Sequence, residues 1–517
     1  MNSSNFQEVI IFKMEKEKEL NLNRDQESNL QASSNSYFPL ERIDQRESKP
    51  QLFSSWSHKP GFTEACILTL LFSALAGILQ GYPESLEVII MAKGASYSDQ
   101  AVLSLNRYPY MFKIFFVPFL DMYYAKRLGK SKTLILISGT VLFLLLFVFG
   151  ANSEKYINNN SVWVITFLWF LIIIFVVLLH LGAEVWSLTL FRGEMKYMGG
   201  ILIYSGVYIG IAIGYNLFVL FNSKQWWNQH IFKNPSWRLK REIVTHKGFI
   251  RGVSLLILTA TIYCILFVKE KIIQRSRTNT LKQTLKTTKK LLTITPIMKM
   301  LVITLMFQLL VSLFNKSIEL KFIQYGIDKA SLVNIQSVVL PMRLTLMVLA
   351  PFYARKPMLI RQVLLFEIAA VSGSLILLLI LVWRDSSTFG FSSGWMMVGF
   401  FLRDMHILSE QLLLSKVTQV IPEDIGATAY TIFAALYNGS QDIPSSIGLK
   451  IADSVSEISF IKFVFGSIVG QYVLICFLWP LAYDLDNTKI EEFGVEREIE
   501  HELRSSDLHM NHLSEEQ

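Results

Sequence analysis

Ionised side chains set inside long apolar stretches are the places in this chain where chemistry could reside. Arg107, Lys113, Arg343 and Arg403 are cations flanked by leucine, phenylalanine, isoleucine and valine. Glu184, Asp404, Glu410 and Asp442 are carboxylates in similar settings, accompanied by His180, His406 and Asn438. A charge within hydrocarbon is costly, so each such group must face a partner, a water-filled cavity or a cargo. For Glu184, Asp404 and Glu410 an internal ion pair that fixes helix register is an equal reading. The buried cations are read as lacking an equal set of facing anions, and unbalanced guanidinium and ammonium groups suit the binding of an anion. Arg107, Lys113, Arg343, Arg403 and Asn438 are therefore the expected substrate contacts. Glu184 and Asp442 are candidates for gating or proton coupling. Arg403, His406 and Glu410 share one helical face by spacing, whereas the neighbours Arg403 and Asp404 must serve different partners.

Other chemistries lack their residues. No H-E-x-x-H, P-loop or G-x-S-x-G pattern occurs. Cys66, Cys264 and Cys476 each fall in an apolar run without pairing or zinc-ligand spacing, so neither a disulfide framework nor a metal site is expected. No cofactor is implied. His180, beside Gly182 and Glu184, could act as the base of a membrane-embedded acyltransferase; polar packing or proton relay is the plainer role.

The elements that must position these groups are membrane helices. The chain has 517 residues, of which 52% are hydrophobic and 17% charged; soluble domains carry about 25% charged residues. Apolar runs near the length of a bilayer crossing recur about twelve times. Six lie before the basic stretch 269–296 and six after it. The expected class is thus an all-α membrane protein of two six-helix bundles, residues 59–268 and 297–483. A cytosolic tail (1–58), a cytosolic linker (269–296) and a C-terminal cytosolic tail (484–517) complete the chain. Lys and Arg concentrate in alternate short loops, which orients both termini to the cytosol. The net charge of +8 is accounted for by those loops, so nucleic acid is not an expected partner; the lipid bilayer is. Two bundles flanking a midplane site is the plan of many transporters.

Two local signals add detail. Gly206, Gly210 and Gly214 form a bare stripe at four-residue spacing, which lets another helix approach closely. The stretch from Asp121 through Lys126, Arg127, Gly129, Lys130 and Lys132 resembles the signature loop of the major facilitator superfamily, and Asp121 is a third gating candidate there.

Four stretches together resemble the acetyl-coenzyme A transporters of the endoplasmic reticulum membrane, a branch of that superfamily. The first is Lys93-Gly-Ala-Ser96-Tyr97-Ser-Asp99-Gln100-Ala101, followed by Pro109, Lys113, Pro118 and Asp121. The second is Trp186-Ser-Leu188-Thr189 with Glu194 and the three glycines. The third is Leu320-Lys321 with Gly326 and Lys329. The fourth is Gly426-Ala-Thr428 with Thr431, Asn438, Pro444 and Ser445. The chain departs from the family's polar positions at Leu179, His180, Glu184, Val207, Asn315, Ala434 and Asp442. The resemblance implies the major facilitator fold and alternating-access carriage of acetyl-coenzyme A from cytosol to lumen, without catalysis. It leaves open another organic anion or another solute as cargo, and a homodimer as the assembly.

Overall fold

The computed structural model describes residues 62–122, 128–190, 196–268, 289, 292–327, 329–354, 360–383, 389–420 and 426–488. The N-terminal tail, most of the 269–296 linker, the residues after 488 and the side chain of Asp121 lie outside them. The first half holds α1 (Phe62–Met91), α2 (Tyr97–Ser104), a 3₁₀ turn (Leu105–Arg107), α3 (Pro109–Met122), α4 (Lys130–Asn158), α5 (Val162–Leu190) and α6 (Lys196–Ile211). A π turn (Ala212–Leu217) leads from α6 into α7 (Phe218–Asn222), followed by the short α8 (Lys224–His230) and α9 (His246–Phe267). The second half holds α10 (Thr295–Met306), α11 (Leu309–Gln324), α12 (Lys329–Ala354), α13 (Ile360–Val382), α14 (Phe389–Arg403), α15 (Met405–Val420), α16 (Gly426–Ser454) and α17 (Glu457–Asn487). The described residues contain no strand.

The twelve apolar runs appear as twelve helical passages, four of them interrupted: α2–α3, α6–α7, α10–α11 and α14–α15. Among the described residues eight stretches are long and apolar enough to cross a membrane by themselves. Exposed apolar side chains such as Phe147, Trp163, Phe167, Phe267 and Phe477 cover the outside, as lipid contact requires. One hydrophobic core is built from residues between Leu68 and Val268. A second is built mainly from residues between Ile297 and Leu485, with Met91, Tyr97, Ala101, Ile201 and Tyr204 reaching into it.

Several passages run further than hydropathy implies. The first continues from Tyr82 to Met91 through Glu84 and Glu87; the seventh runs from Thr295 to Gln324 rather than Met300 to Leu313. The last continues through Asn487, past the boundary at 483. There Asp486 accepts from the Arg361 backbone and from Arg361 Nε (2.8 Å for the latter), capping the start of α13. In the first two cases Glu84, Glu87, Lys316 and Glu319 face inward, so they count against hydropathy while lining the cavity.

The halves repeat local devices. At the end of α1, Gly94 has φ +90°, its N–H donates to Met91 O, and the Ala95 N–H donates to Ile90 O. At the end of α11, Gly326 has φ +92°, its N–H donates to Ile323 O, and the Ile327 N–H donates to Phe322 O. Both are Schellman caps, which place a residue in the left-handed region where glycine carries no Cβ penalty. Ser96 and Asp99 then form a capping box at the start of α2, which explains half of the Ser96–Ala101 motif; Gln100 donates to Glu87 O and Tyr97 to Gln324 across the halves.

The glycine stripe packs inside the first half, not at the interface between halves. A Cβ at Gly206, Gly210 or Gly214 would collide with the backbone of α1 near Leu70, Ala74 and Ile78, and Gly77 and Gly81 lie against Val207 and Ile211 in return. In the second half Gly448 of α16 lies equally close to the backbone at Leu313 of α11, so each bundle locks its first passage to its fifth in the same way. Gly210→Leu therefore has no side chain to displace, only backbone, and is expected to lower stability by about 3 kcal/mol or abolish folding, the upper end of overpacking costs. Thermal unfolding of the purified protein, read beside Gly252→Leu at an open position, checks it.

Candidate functional site

A cavity of about 340 Å³ lies between the halves, within the roughly 300–1,000 Å³ of small-molecule sites. Its wall includes Arg107, Lys113, Arg343, Arg403 and Asn438, the five residues expected to contact substrate, and Asp442. Their passages converge because each puts a polar side chain on the face opposite its apolar stripe. Gln308, at the break between α10 and α11, and Asp404, at the break between α14 and α15, also line it.

The balance of charge differs from the sequence expectation. The lining holds five cations, the four named above and Lys316. It also holds seven carboxylates: Glu84, Glu87, Glu319, Glu367, Asp404, Glu410 and Asp442. Every cation has an acidic partner. Arg107 Nη2 is 3.3 Å from Glu87 Oε1 and 3.4 Å from Glu84 Oε1, and its Nη1 is 4.0 Å from Asp442. Lys316 Nζ lies 2.5 Å from Glu87 Oε2. Arg343 is bidentate on Asp404, with Nε and Nη2 at 3.0 and 2.9 Å. Arg403 pairs with Glu319. Lys113 donates to Glu184 at 3.1 Å, both side chains almost wholly buried. Glu184 is thus a partner behind the wall rather than a lining residue, and Asp404 satisfies Arg343 while Arg403 turns to Glu319, as adjacent residues must. The unbalanced-cation reading is overturned because the missing anions sit at Glu84, Glu87 and Glu319, in helix ends that hydropathy cut off.

Further polar groups were not expected. Tyr110, Tyr204, Tyr208, Tyr215 and Tyr437 line the cavity with Gln80, Gln308, Gln336 and Gln441. A tyrosine in an apolar run looks like packing, so sequence gives it no distinct mark. Glu367, alone in an apolar run of α13, did carry a readable signal. His180 lines the wall edge-on to Tyr110, with Nδ1 3.9 Å from Glu184 and Nε2 buried without a hydrogen-bond partner among the described residues. His406 Nδ1 is 2.8 Å from Arg403 O.

Contacts between the halves close the cavity towards the Met91 end. Ser104 and Ser446 hydroxyls are 2.6 Å apart, Tyr97 donates to Gln324 at 3.1 Å, and Val88, Tyr215, Val219 and Val333 form an apolar plug. The Lys316–Glu87–Arg107 cluster joins α11 to α1 in the same region. Towards the other end, Tyr208 of α6 donates to Glu410 of α15 at 2.5 Å and Met111 of α3 rests on Gly439 of α16.

Solved structures share this architecture. An MFS transporter, FucP, in the outward conformation superposes with a TM-score of 0.53 at 12% identity, over 83% of this chain and 99% of its own. A variant of the E. coli fucose:proton symporter FucP gives a TM-score of 0.54 at 11% identity, over 83% and 100%. The chain has the major facilitator fold. At those identities the likeness carries the fold alone. The model of the family described as Acetyl-coenzyme A transporter 1 matches residues 70–286, so the family matched is the one that the motifs resemble. An uncharacterized protein of Schizosaccharomyces pombe is 27% identical over 193 residues, 35% of this chain and 36% of that protein. An uncharacterized membrane protein of Saccharomyces cerevisiae is 25% identical over 203 residues, 35% of this chain and 35% of that protein. The matched stretch spans about a third of these relatives. The chain is a multi-pass membrane protein with a transporter's fold and a polar chamber between its halves.

Proposed function

We propose that this chain carries acetyl-coenzyme A or a related organic anion from the cytosol into the lumen of the endoplasmic reticulum, by alternating access. The observation that supports it most is the cavity itself: five cations from passages of both halves face one polar chamber, in a chain whose residues 70–286 match the acetyl-coenzyme A transporter family. Because the cations are paired, an arriving phosphate or carboxylate would exchange for a resident carboxylate rather than meet a bare charge. Arg403 with Glu319 and Arg107 with Glu84 are the pairs most accessible to such exchange, with side chains 14–31% exposed. Arg107 also lies 4.0 Å from Asp442 of the second half, so its capture by cargo would loosen a contact between bundles 59–268 and 297–483, which links binding to their rearrangement.

Reconstituted vesicles test the cargo. Saturable uptake of labelled acetyl-coenzyme A, inhibited by unlabelled coenzyme A, is expected. Arg403→Gln should raise the half-saturating concentration about tenfold, the loss of about 1.4 kcal/mol of a charged contact. Saturable uptake of a different solute instead, unaffected by coenzyme A, removes the anion claim. Product formation in detergent, lost in His180→Ala, would favour a membrane-embedded acyltransferase.

A further inference from the structure

Five of the seven carboxylates in the cavity wall touch a cation. Glu367 of α13 and Glu410 of α15 have no cation in ion-pair contact among the described residues. Both are buried, Glu367 completely. Glu367 Oε2 accepts from Gln308 Nε2 at 3.3 Å, and its Oε1 has no hydrogen-bond partner among the described residues. Glu410 Oε2 accepts from the Tyr208 hydroxyl at 2.5 Å, and Tyr437 also hydrogen-bonds it.

The two carboxyls are joined. Gln441 Nε2 lies 2.5 Å from both Gln308 Oε1 and the Tyr437 hydroxyl oxygen. A continuous path therefore runs from Glu367 through Gln308, Gln441 and Tyr437 to Glu410, and on to Tyr208 in the first half. The other groups facing the pair are Lys113 of α3, Tyr204 of α6 and Tyr430 of α16; the Arg343–Asp404 pair lies beyond Tyr208. Lys113 is already neutralised by Glu184. An ionised carboxylate held here without a counter-ion costs several kcal/mol, whereas the neutral acid needs only a hydrogen-bond partner.

We propose that Glu367 and Glu410 are a proton-binding site in the cavity wall, loaded together with the anionic cargo. As a coupling device this rests on the anion-transport reading above. With both groups ionised the lining, together with Glu184 behind it, holds eight carboxylates against five cations, which opposes entry of an anion. Each carboxylate that accepts a proton from water removes one of those charges. With both neutral the excess of carboxylates falls from three to one, and release of the protons on the far side restores the repulsion that expels the cargo. The Tyr208 contact makes the site sensitive to the separation of the halves, because it is the link that rearrangement would break.

Infrared titration of the purified protein, which needs no cargo, tests the site. A carbonyl stretch from a protonated carboxyl is expected near neutral pH, reduced in Glu367→Gln and in Glu410→Gln. Gln308→Leu keeps both acids and should shift the pH at which the band disappears. In vesicles, an inward proton gradient should drive accumulation of acetyl-coenzyme A. Glu410→Gln should abolish that accumulation while exchange of labelled for unlabelled cargo continues. Absence of the band in wild type, or wild-type accumulation indifferent to the gradient, overturns the proposal. A band reduced in both variants, in a protein that moves no acetyl-coenzyme A, upholds the proton site and removes the cargo reading instead.

Discussion

Glu184→Gln is expected to lower stability by about 3–5 kcal/mol, the cost of leaving a buried charge without its partner. The stranded group is Lys113, whose side chain is 3% exposed and whose ammonium donates to Glu184 at 3.1 Å. His180, 3.9 Å from Glu184, cannot replace the lost negative charge. The double variant Lys113→Met with Glu184→Met tests whether the pair is structure or machinery. Two apolar side chains of similar length remove both desolvation costs, so stability should return to near wild type or exceed it. Transport should not return, because the cavity has then lost one of its five cations. Thermal unfolding of the three proteins in one detergent, read beside vesicle uptake, separates the roles. A double variant that transports normally shows that Lys113 and Glu184 only hold α3 to α5.

The sequence made the architecture legible because the signal is large: each passage is a run of apolar side chains that only a membrane or a deep core could cover. Positions of the substrate candidates were legible for the same reason. Arg107, Lys113, Arg343 and Arg403 stood out against apolar neighbours, and all four line one cavity. Their partners were hidden by that same contrast. Glu84, Glu87 and Glu319 sit towards helix ends and Lys316 just beyond the apolar run of its passage, where charge reads as the start of a loop. Hydropathy averages over a whole turn and so cannot tell a charge facing water beyond the bilayer from one facing a polar chamber within it. Glu367 was readable as a charge in an apolar run, but not as one without a cation beside it. It is a single acid in a long apolar run, and only the absence of a nearby cation, visible in three dimensions, distinguishes it from Asp404. The Ser96–Ala101 motif shows a third case. Its spacing marks a family, but the reason for it is a capping box and two contacts made by Tyr97 and Gln100.

Glu87 links the two halves, and its replacement is the second change with a large expected effect. Its carboxylate, 2% exposed, holds Arg107 of the first half at one oxygen and Lys316 of the second half at the other. Glu87→Gln keeps the shape and removes the charge that both cations face. Arg107 retains Glu84 and a longer contact to Asp442; Lys316 retains no ion pair among the described residues. The arrangement closed at the Met91 end therefore loses more than an arrangement in which those halves are apart, and every 1.4 kcal/mol of that difference shifts the two populations tenfold. Val88, one residue along α1 and buried in the apolar plug with Val333, reports the shift. In a background with Cys66, Cys264 and Cys476 replaced by serine, V88C should react with an impermeant maleimide at least about tenfold faster once Glu87→Gln is added. Lys316→Met removes the same link between the halves, because Arg107 and Glu87 both belong to the first half, so its effect should be comparable and of the same sign. Equal labelling in all three proteins would mean that the serine pair, the Tyr97–Gln324 contact and the apolar plug close this end without help from charge. The ion cluster would then serve only to position Arg107 and Lys316 in the cavity wall.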